Sequence, residues 1–129
     1  MAFDGRGVLV LGVSGAGKST LALNLMAMGA DLVADDRTCL SRSGDHVVAD
    51  CPNALSGMIE ARAVGLLNAN AAGPTKLCLV VDLDKSETDR LPPFRSTRLL
   101  GVDMPLLHNV AQSCFPAAIR QYVMHGRRA

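Results

Sequence analysis

The sequence predicts a single α/β domain over residues 1–129, in which a mixed β-sheet is flanked by helices. Two observations support this fold class. Residues 7–11 form a short apolar run suited to a buried strand, and this run leads directly into a glycine-rich segment. A run of good helix formers follows and ends at Gly29. Strand, loop and helix in this order are typical of a phosphate-binding unit.

The glycine-rich segment matches G-x-x-x-x-G-K-[ST], the phosphate-binding loop or P-loop. Its glycines let successive backbone N–H groups point into one concavity, and the helix that follows adds its positive end. Lys18 is placed to reach the β- and γ-phosphates of a nucleotide, and the Ser19 hydroxyl to ligate Mg²⁺. A chance glycine-rich turn is disfavoured because both flanks agree with the motif. The predicted nucleotide-binding residues are Gly12, Val13, Ser14, Gly15, Ala16, Gly17, Lys18, Ser19 and Thr20.

The composition excludes several classes of function. Apolar residues make up 49% of the chain and aromatic residues 3%, which predicts an aliphatic core. The net charge is +1 with no basic block, so we expect no nucleic-acid partner. No apolar run approaches the roughly 18 residues of a membrane span, and the N-terminus lacks the form of a signal peptide. The four cysteines show neither C-x-x-C nor zinc spacing, which indicates reduced thiols in a cytoplasmic protein.

Residues 32–34 are predicted to form a short strand that ends in the acidic pair Asp35-Asp36. Strand ends near a phosphate-binding loop are where α/β proteins place their chemistry. One carboxylate can accept a proton from an attacking hydroxyl while the other helps to hold a metal. The alternative is an acidic pair in a turn. The P-loop lysine lies 17 residues upstream of Asp35, which favours the functional interpretation.

The middle of the chain alternates predicted strands with turns. Residues 38–42 and 46–49 read as two strands around a tight turn, and residues 54–57 as a helical turn. In the apolar segment 58–67, Glu60 and Arg62 would share one face of a strand. The carboxylate can ligate Mg²⁺ and the guanidinium can neutralise phosphoryl charge. Taken alone, this spacing is better explained by an ion pair on a half-exposed strand, and only the resemblance described below favours a functional role.

The last third predicts three further elements and a turn. Residues 76–83 have the Val- and Leu-rich composition of a buried strand. Residues 96–100 are predicted as another strand and residues 101–105 as a turn. Residues 117–124 have the spacing of an amphipathic helix.

Four segments in this order resemble HPr kinase/phosphorylase, namely residues 12–19, 32–36, 59–62 and 90–92. The resemblance is to the catalytic domain, in the short form that lacks the N-terminal regulatory domain, and it covers about residues 5–105. The most specific match is Val-Ala-Asp-Asp, which the family carries at the same distance from the P-loop lysine.

The resemblance implies transfer of the γ-phosphoryl group of ATP to a seryl hydroxyl of HPr, a phosphocarrier protein, with Mg²⁺. It also implies the reverse event, in which phosphate removes the seryl phosphate and pyrophosphate is released. Asp35 would be the general base in the forward reaction and the general acid in the reverse one. Ser19 and Glu60 would hold Mg²⁺, with Asp36 as a further candidate, and Lys18 would contact the phosphates. Arg90 occupies the place of an active-site arginine, Arg62 is the second candidate, and the family's habit predicts a homo-oligomer, a hexamer.

This sequence departs from the family pattern in three segments. The family histidine on a strand upstream of the P-loop has no counterpart, and Ala63 stands where glycine is usual. Residues 104–109 replace the glycine-rich basic segment used in dephosphorylation. These departures favour kinase over phosphorylase chemistry. Two alternatives stay open: another small-molecule P-loop kinase, in which Asp82 would hold the metal, and a non-catalytic nucleotide-binding module.

Overall fold

Nine β-strands and two α-helices make up the fold, and the computed structural model describes every residue from Met1 to Ala129. Neither helix is long and apolar enough to span a bilayer. The strands are β1 (Ala2–Phe3), β2 (Arg6–Leu11), β3 (Cys39–Ser43), β4 (His46–Asp50), β5 (Met58–Ala61), β6 (Gly65–Asn68), β7 (Thr75–Ser86), β8 (Arg95–Leu99) and β9 (Val102–Asn109). The helices are α1 (Lys18–Ala27) and α2 (Phe115–His125).

The long strand β7 is the centre of a seven-stranded mixed sheet. Strand β2 pairs with β7 in parallel, and β4 pairs antiparallel with the start of β7 at Thr75 and Lys76. From Val80 onward the same edge of β7 pairs in parallel with β9. Strands β1, β3 and β8 extend the sheet beyond β2, β4 and β9, and β5 and β6 form a separate hairpin. The predicted mixed sheet with flanking helices is confirmed.

Both faces of the sheet are apolar because the side chains of β7 alternate between them. Leu79 and Val81 pack with Leu25 of α1 and Ile119 of α2 in the larger core cluster. On the opposite face, Val80 packs with the residues of a smaller cluster. Burying an aliphatic side chain of this size contributes about 1.5–3 kcal/mol. The core therefore holds the P-loop strand and α1 against a fixed central strand.

Both predicted helices are confirmed, and each is bounded by residues whose chemistry explains the ends. Helix α1 begins directly after Gly17 and stops before Gly29, whose φ of +100° is the left-handed conformation that ends helices. Helix α2 has Pro116 in its first turn, where the missing N–H costs nothing. The buried side chains of Ile119 and Val123 are four positions apart, as expected for residues on one face of a helix.

Three predicted elements differ from the structure, namely residues 32–34, 101–105 and 58–67. Residues 32–34 form no strand, because their pairing is limited to one isolated parallel bridge between Leu32 and Ala71. In that bridge Leu32 N–H donates to Asn70 O, and Ala72 N–H donates to Leu32 O. The predicted turn at 101–105 is instead a turn at Leu100-Gly101, both with positive φ, followed by β9. Pro105 is tolerated inside β9 because pairing with β7 begins only at Leu106.

The segment 58–67 is a hairpin rather than one strand. The chain turns after Ala61, and Ala63 adopts φ of +65° in that turn. Glu60 therefore lies on β5, as predicted, whereas Arg62 lies in the turn and shares no strand face with it. Two-residue periodicity cannot distinguish one strand from a strand that turns back.

Candidate active site

The P-loop has the backbone conformation that its glycines allow. Gly15 and Gly17 adopt φ of +86° and +101°, which L side chains rarely adopt. Gly12 is required for a different reason, since a Cβ there would lie 2.9 Å from Ala16 Cβ and 3.3 Å from Leu83 Cβ. The loop therefore packs closely against the start of α1 and the end of β7.

Helix α1 presents an uncompensated positive end to this loop. No side chain caps its N-terminus, and its first turn contains no acidic residue. Its leading N–H groups have no partner within the helix, so they can bind an anion. Lys18 Nζ donates a hydrogen bond of 2.7 Å to Gly12 O, which places the ammonium group over the loop. The arrangement fits a polyphosphate group.

A cavity of about 300 Å³ on one side of α1 collects the predicted acidic residues; we call it the acidic cavity. It brings Asp35 and Asp36 together with Lys18 and Ser19, as the sequence predicts. The rest of its lining is Gly12, Thr38 and the apolar residues Met1, Val8, Leu9, Val10, Leu11, Ala22, Val33, Ala34, Leu40, Ala49 and Leu77.

Asp35 is held in place by the hairpin. Its Oδ2 atom accepts a hydrogen bond of 3.0 Å from the backbone N–H of Glu60, which is 25 residues away in sequence. The other carboxylate oxygen forms no hydrogen bond to the protein, so it is available to a substrate hydroxyl. Glu60 is exposed, and it adjoins Asp35 through this backbone contact, whereas its side chain does not line the acidic cavity.

The two predicted arginines lie outside this cavity. Arg62 is exposed in the hairpin turn, and Arg90 is exposed in the connection between β7 and β8. Neither side chain forms a hydrogen bond or an ion pair with the residues of the acidic cavity. Each lies on a surface segment, and the structure does not bring either guanidinium to the P-loop.

Sequence reasoning missed a contact between the P-loop and the end of β7. Asp84 Oδ1 accepts a hydrogen bond of 3.1 Å from Val13 N–H, and Asp82 Oδ1 accepts one of 2.9 Å from Asp84 N–H. The register that pairs Leu11 with Asp82 places both acids beside the loop. A buried strand that ends in two acids was the available signal, because parallel strands bring their carboxyl ends to one edge.

A second cavity, of about 290 Å³, borders the P-loop and contains no charged residue; we call it the amide cavity. It shares no residue with the acidic cavity. The two cavities are lined by different faces of α1: Ser19 and Ala22 face the acidic cavity, and Thr20 and Asn24 face the amide cavity. The lining of the amide cavity is Ala16, Gly17, Thr20, Leu21, Asn24, Leu83, Asn109, Val110, Gln112, Ser113, Phe115 and Pro116.

An ion pair holds the segment next to the amide cavity. Arg95 Nε donates to Glu87 Oε1 and Arg95 Nη2 to Glu87 Oε2, each at 3.0 Å. These hydrogen bonds lower the pKa of Glu87 from 4.5 to about 2. The backbone N–H of Glu87 donates to Asn109 O at 2.8 Å, so the pair is connected to one wall of that cavity.

The donor set fits Mg²⁺ only in company with phosphates. No group of three or more His, Cys, Asp or Glu side chains is arranged to hold a metal. Mg²⁺ is commonly bound by one or two carboxylates together with substrate phosphates and water. Ser19 and Asp36 in one cavity, with Glu60 at its edge, match that pattern.

These features define a P-loop α/β domain with an acidic pair beside the loop. Residues 1–105 match the model of the HPr serine kinase C-terminal domain family. The chain therefore belongs to that family.

Among curated proteins, an HPr kinase/phosphorylase of Aromatoleum aromaticum is 44% identical over 112 residues, which cover 76% of this chain and 36% of the relative. One of Acidovorax is 40% identical over 122 residues, covering 84% and 38%. The chain thus spans less than two fifths of these relatives. The solved structure of the HPr(Ser) kinase/phosphatase of Coxiella burnetii superposes with a TM-score of 0.78 at 26% identity, over 93% of this chain and 87% of that one.

Proposed function

We propose that this chain is an ATP-dependent protein serine kinase whose acceptor is an HPr-type phosphocarrier protein. The observation that supports this best is the acidic cavity, where a carboxylate oriented by the protein faces the P-loop lysine and serine. The relatives' names supply the acceptor, since they are called HPr kinase/phosphorylase. The proposal includes a cytoplasmic location, as the sequence predicts.

Asp35 is the general base in this proposal. Its Oδ2 atom is fixed by Glu60 N–H, and its other oxygen takes the proton of the seryl hydroxyl as that hydroxyl attacks the γ-phosphorus. The bond between the γ-phosphorus and the bridging oxygen breaks, and ADP leaves. Positioning and charge neutralisation supply most of what phosphoryl transfer requires, and the P-loop N–H groups and Lys18 provide both.

The remaining residues hold charge around the transferred group. Lys18 leaves Gly12 O to contact the β- and γ-phosphates, which provides a stronger, charge-assisted partner. Ser19, Asp36 and Glu60 are the proposed ligands of Mg²⁺, which supplies neutralisation of phosphate charge when it is bound. Arg62 and Arg90 are proposed to neutralise phosphoryl charge once the acceptor protein covers their exposed segments.

In this proposal the same site also catalyses removal of the seryl phosphate by inorganic phosphate. A phosphate oxygen attacks the phosphorus of phosphoserine, the bond to the seryl oxygen breaks, and pyrophosphate leaves. Protonated Asp35 returns its proton to the seryl oxygen. The relatives' second name, phosphorylase, supports this direction. We further propose, from the family resemblance, that the chain assembles as a homo-oligomer, a hexamer.

A direct test incubates the chain with γ-labelled ATP, Mg²⁺ and an HPr-type carrier, and scores acid-stable seryl phosphate. Label on the carrier that disappears in Asp35→Asn is the expected result. ATP binding without any labelled carrier would contradict the proposed acceptor. Labelling of a small hydroxyl compound instead would favour the alternative, a small-molecule P-loop kinase.

A further inference from the structure

We propose that the amide cavity is the nucleoside subsite, which binds the base and ribose of ATP while the P-loop holds its phosphates. This inference deepens the proposed function, on which it rests. It assigns a role to residues 109–116, which lie beyond the 105 residues that match the family model.

The geometry of phosphoryl transfer separates the two cavities. The attacking and leaving oxygens lie roughly in line on opposite sides of the transferred phosphorus. Asp35, the base for the attacking hydroxyl, lines the acidic cavity. The acceptor must therefore approach from that cavity, and the ADP portion must extend away from it. The amide cavity lies on the other side of α1 and borders Ala16 and Gly17 of the P-loop.

The lining of the amide cavity suits a flat aromatic base with a polar edge. The apolar part of the cavity lining includes the buried side chains of Leu21, Leu83 and Phe115. Its rim carries Asn24 and Asn109, and neither side chain forms a hydrogen bond within the protein. A carboxamide offers both a donor and an acceptor, which is the pairing that the edge of adenine requires.

The absence of charge in the amide cavity also favours the nucleoside over the acceptor or the phosphates. A phosphate requires cationic groups or converging N–H groups, and these lie in the P-loop and Lys18. The volume of about 290 Å³ is near the lower end of small-molecule sites, about 300–1,000 Å³, which suits one nucleoside.

Binding measurements on the full chain can separate nucleoside recognition from phosphate recognition. The probes are ATP and inorganic tripolyphosphate, each with Mg²⁺, measured by calorimetry. The double variant Asn24→Ala/Asn109→Ala should weaken ATP binding about ten-fold, since each lost hydrogen bond costs roughly two- to ten-fold. Tripolyphosphate should bind within about two-fold of the wild type. The matched control is Asn53→Ala/Asn68→Ala, two exposed asparagines outside both cavities, which should change neither affinity.

A second measurement does not depend on removing side chains. The chain contains no tryptophan, so Ser113→Trp in the amide cavity and Thr38→Trp in the acidic cavity each introduce a single reporter. ATP should quench Trp fluorescence at position 113 more than tripolyphosphate does, because a base stacks on indole. At position 38 the two ligands should have equal effects.

Two results would overturn the inference: equal weakening of both ligands in the double variant, or an ATP-specific response at position 38 alone. Failure of the proposed function has a different signature. A chain that shows the ATP-specific effects at 113 but never labels the carrier would retain the nucleoside subsite and refute the acceptor. A wild-type chain that binds neither ligand would refute both.

Discussion

The two cavities beside the P-loop differ in chemistry although they lie against the same helix. Among its polar groups the acidic cavity contains two carboxylates, an ammonium group and two hydroxyls, whereas the amide cavity contains amides and hydroxyls with no charge. Charged groups can move protons and neutralise phosphate, and neutral amides can recognise a ligand without reacting with it. This difference fits the two proposals made above, in which chemistry takes place on one side of the P-loop and nucleoside recognition on the other.

The largest expected effect tests the acidic side alone. Asp35→Asn should lower seryl phosphorylation by about 10²- to 10⁴-fold, because the amide cannot accept the proton of the attacking hydroxyl. Its oxygen can still accept the hydrogen bond from Glu60 N–H, so the segment should keep its position. ATP affinity should therefore change little, and steady-state kinetics with calorimetry measure the two quantities separately.

Asp31→Asn is the matched control for Asp35→Asn. Asp31 is an exposed acid of the same segment, and only its backbone N–H and C=O form hydrogen bonds. It should retain wild-type activity. Full activity in Asp35→Asn would remove Asp35 from the mechanism.

The next effect concerns Lys18, the cationic group of the P-loop, which lines the acidic cavity. Lys18→Ala should lower the affinity for ATP by about 10- to 150-fold, since a hydrogen bond to a charged partner contributes about 1.5–3 kcal/mol. The affinity for tripolyphosphate should fall by the same factor, because the ammonium group contacts phosphates and not the adenine base. Lys76→Ala, an exposed lysine on β7 with no side-chain hydrogen bond, is the control. Unchanged affinity in Lys18→Ala would contradict the P-loop assignment.

The acidic side could be predicted from the sequence because its determinants are local. The P-loop places Lys18 and Ser19 at a helix start by spacing alone, and Asp35-Asp36 follow at a fixed distance along the chain. The carboxylates were therefore predicted beside the phosphates, and the structure brings them into one cavity with Lys18 and Ser19. Their catalytic and metal-binding roles stay a prediction.

The amide side could not be predicted, because its walls meet only through tertiary structure. Asn24 lies on α1 and Asn109 at the end of β9, and the pairing of β9 with β7 brings them to one cavity. The contact of Asp84 with Val13 joins residues 71 apart and depends on the same central strand. Arg62 was wrongly predicted to share a strand face with Glu60, because no signal in the sequence indicated the hairpin turn between them. That turn depends on the left-handed conformation of Ala63, a residue with no strong turn preference.

Gly12→Ala tests whether the packing of the loop supports both sides. The added methyl group would lie 2.9 Å from Ala16 Cβ and 3.3 Å from Leu83 Cβ, so the loop must shift. Overpacking of this kind costs about 1–3 kcal/mol of unfolding free energy, measurable by urea denaturation. ATP and tripolyphosphate should both weaken. Ser14→Ala, an exposed loop position, should leave stability unchanged, and a stable Gly12→Ala variant with wild-type affinity would refute the close packing.

The smallest expected effect is a pH dependence of stability that arises from the Glu87–Arg95 ion pair beside the amide cavity. The pKa of Glu87 is lowered from 4.5 to about 2 by its hydrogen bonds with Arg95, so the folded state binds this proton less readily than the unfolded state. The contribution of the ion pair to stability is thus fully present above about pH 4.5 and is lost as the pH falls towards about 2. Glu87→Gln should remove that part of the pH dependence from thermal melts, whereas the control Asp89→Asn should keep it.

Glu87→Gln removes the ion pair with Arg95 that holds the segment whose backbone N–H donates to Asn109 O. ATP binding should therefore weaken slightly, while tripolyphosphate binding should be unchanged at neutral pH. An equal loss for both ligands would mean that the ion pair supports the P-loop itself rather than the wall of the amide cavity. In that case the same ion pair would support both cavities, and the contacts that hold the nucleoside subsite could not be separated from those that hold the phosphate site.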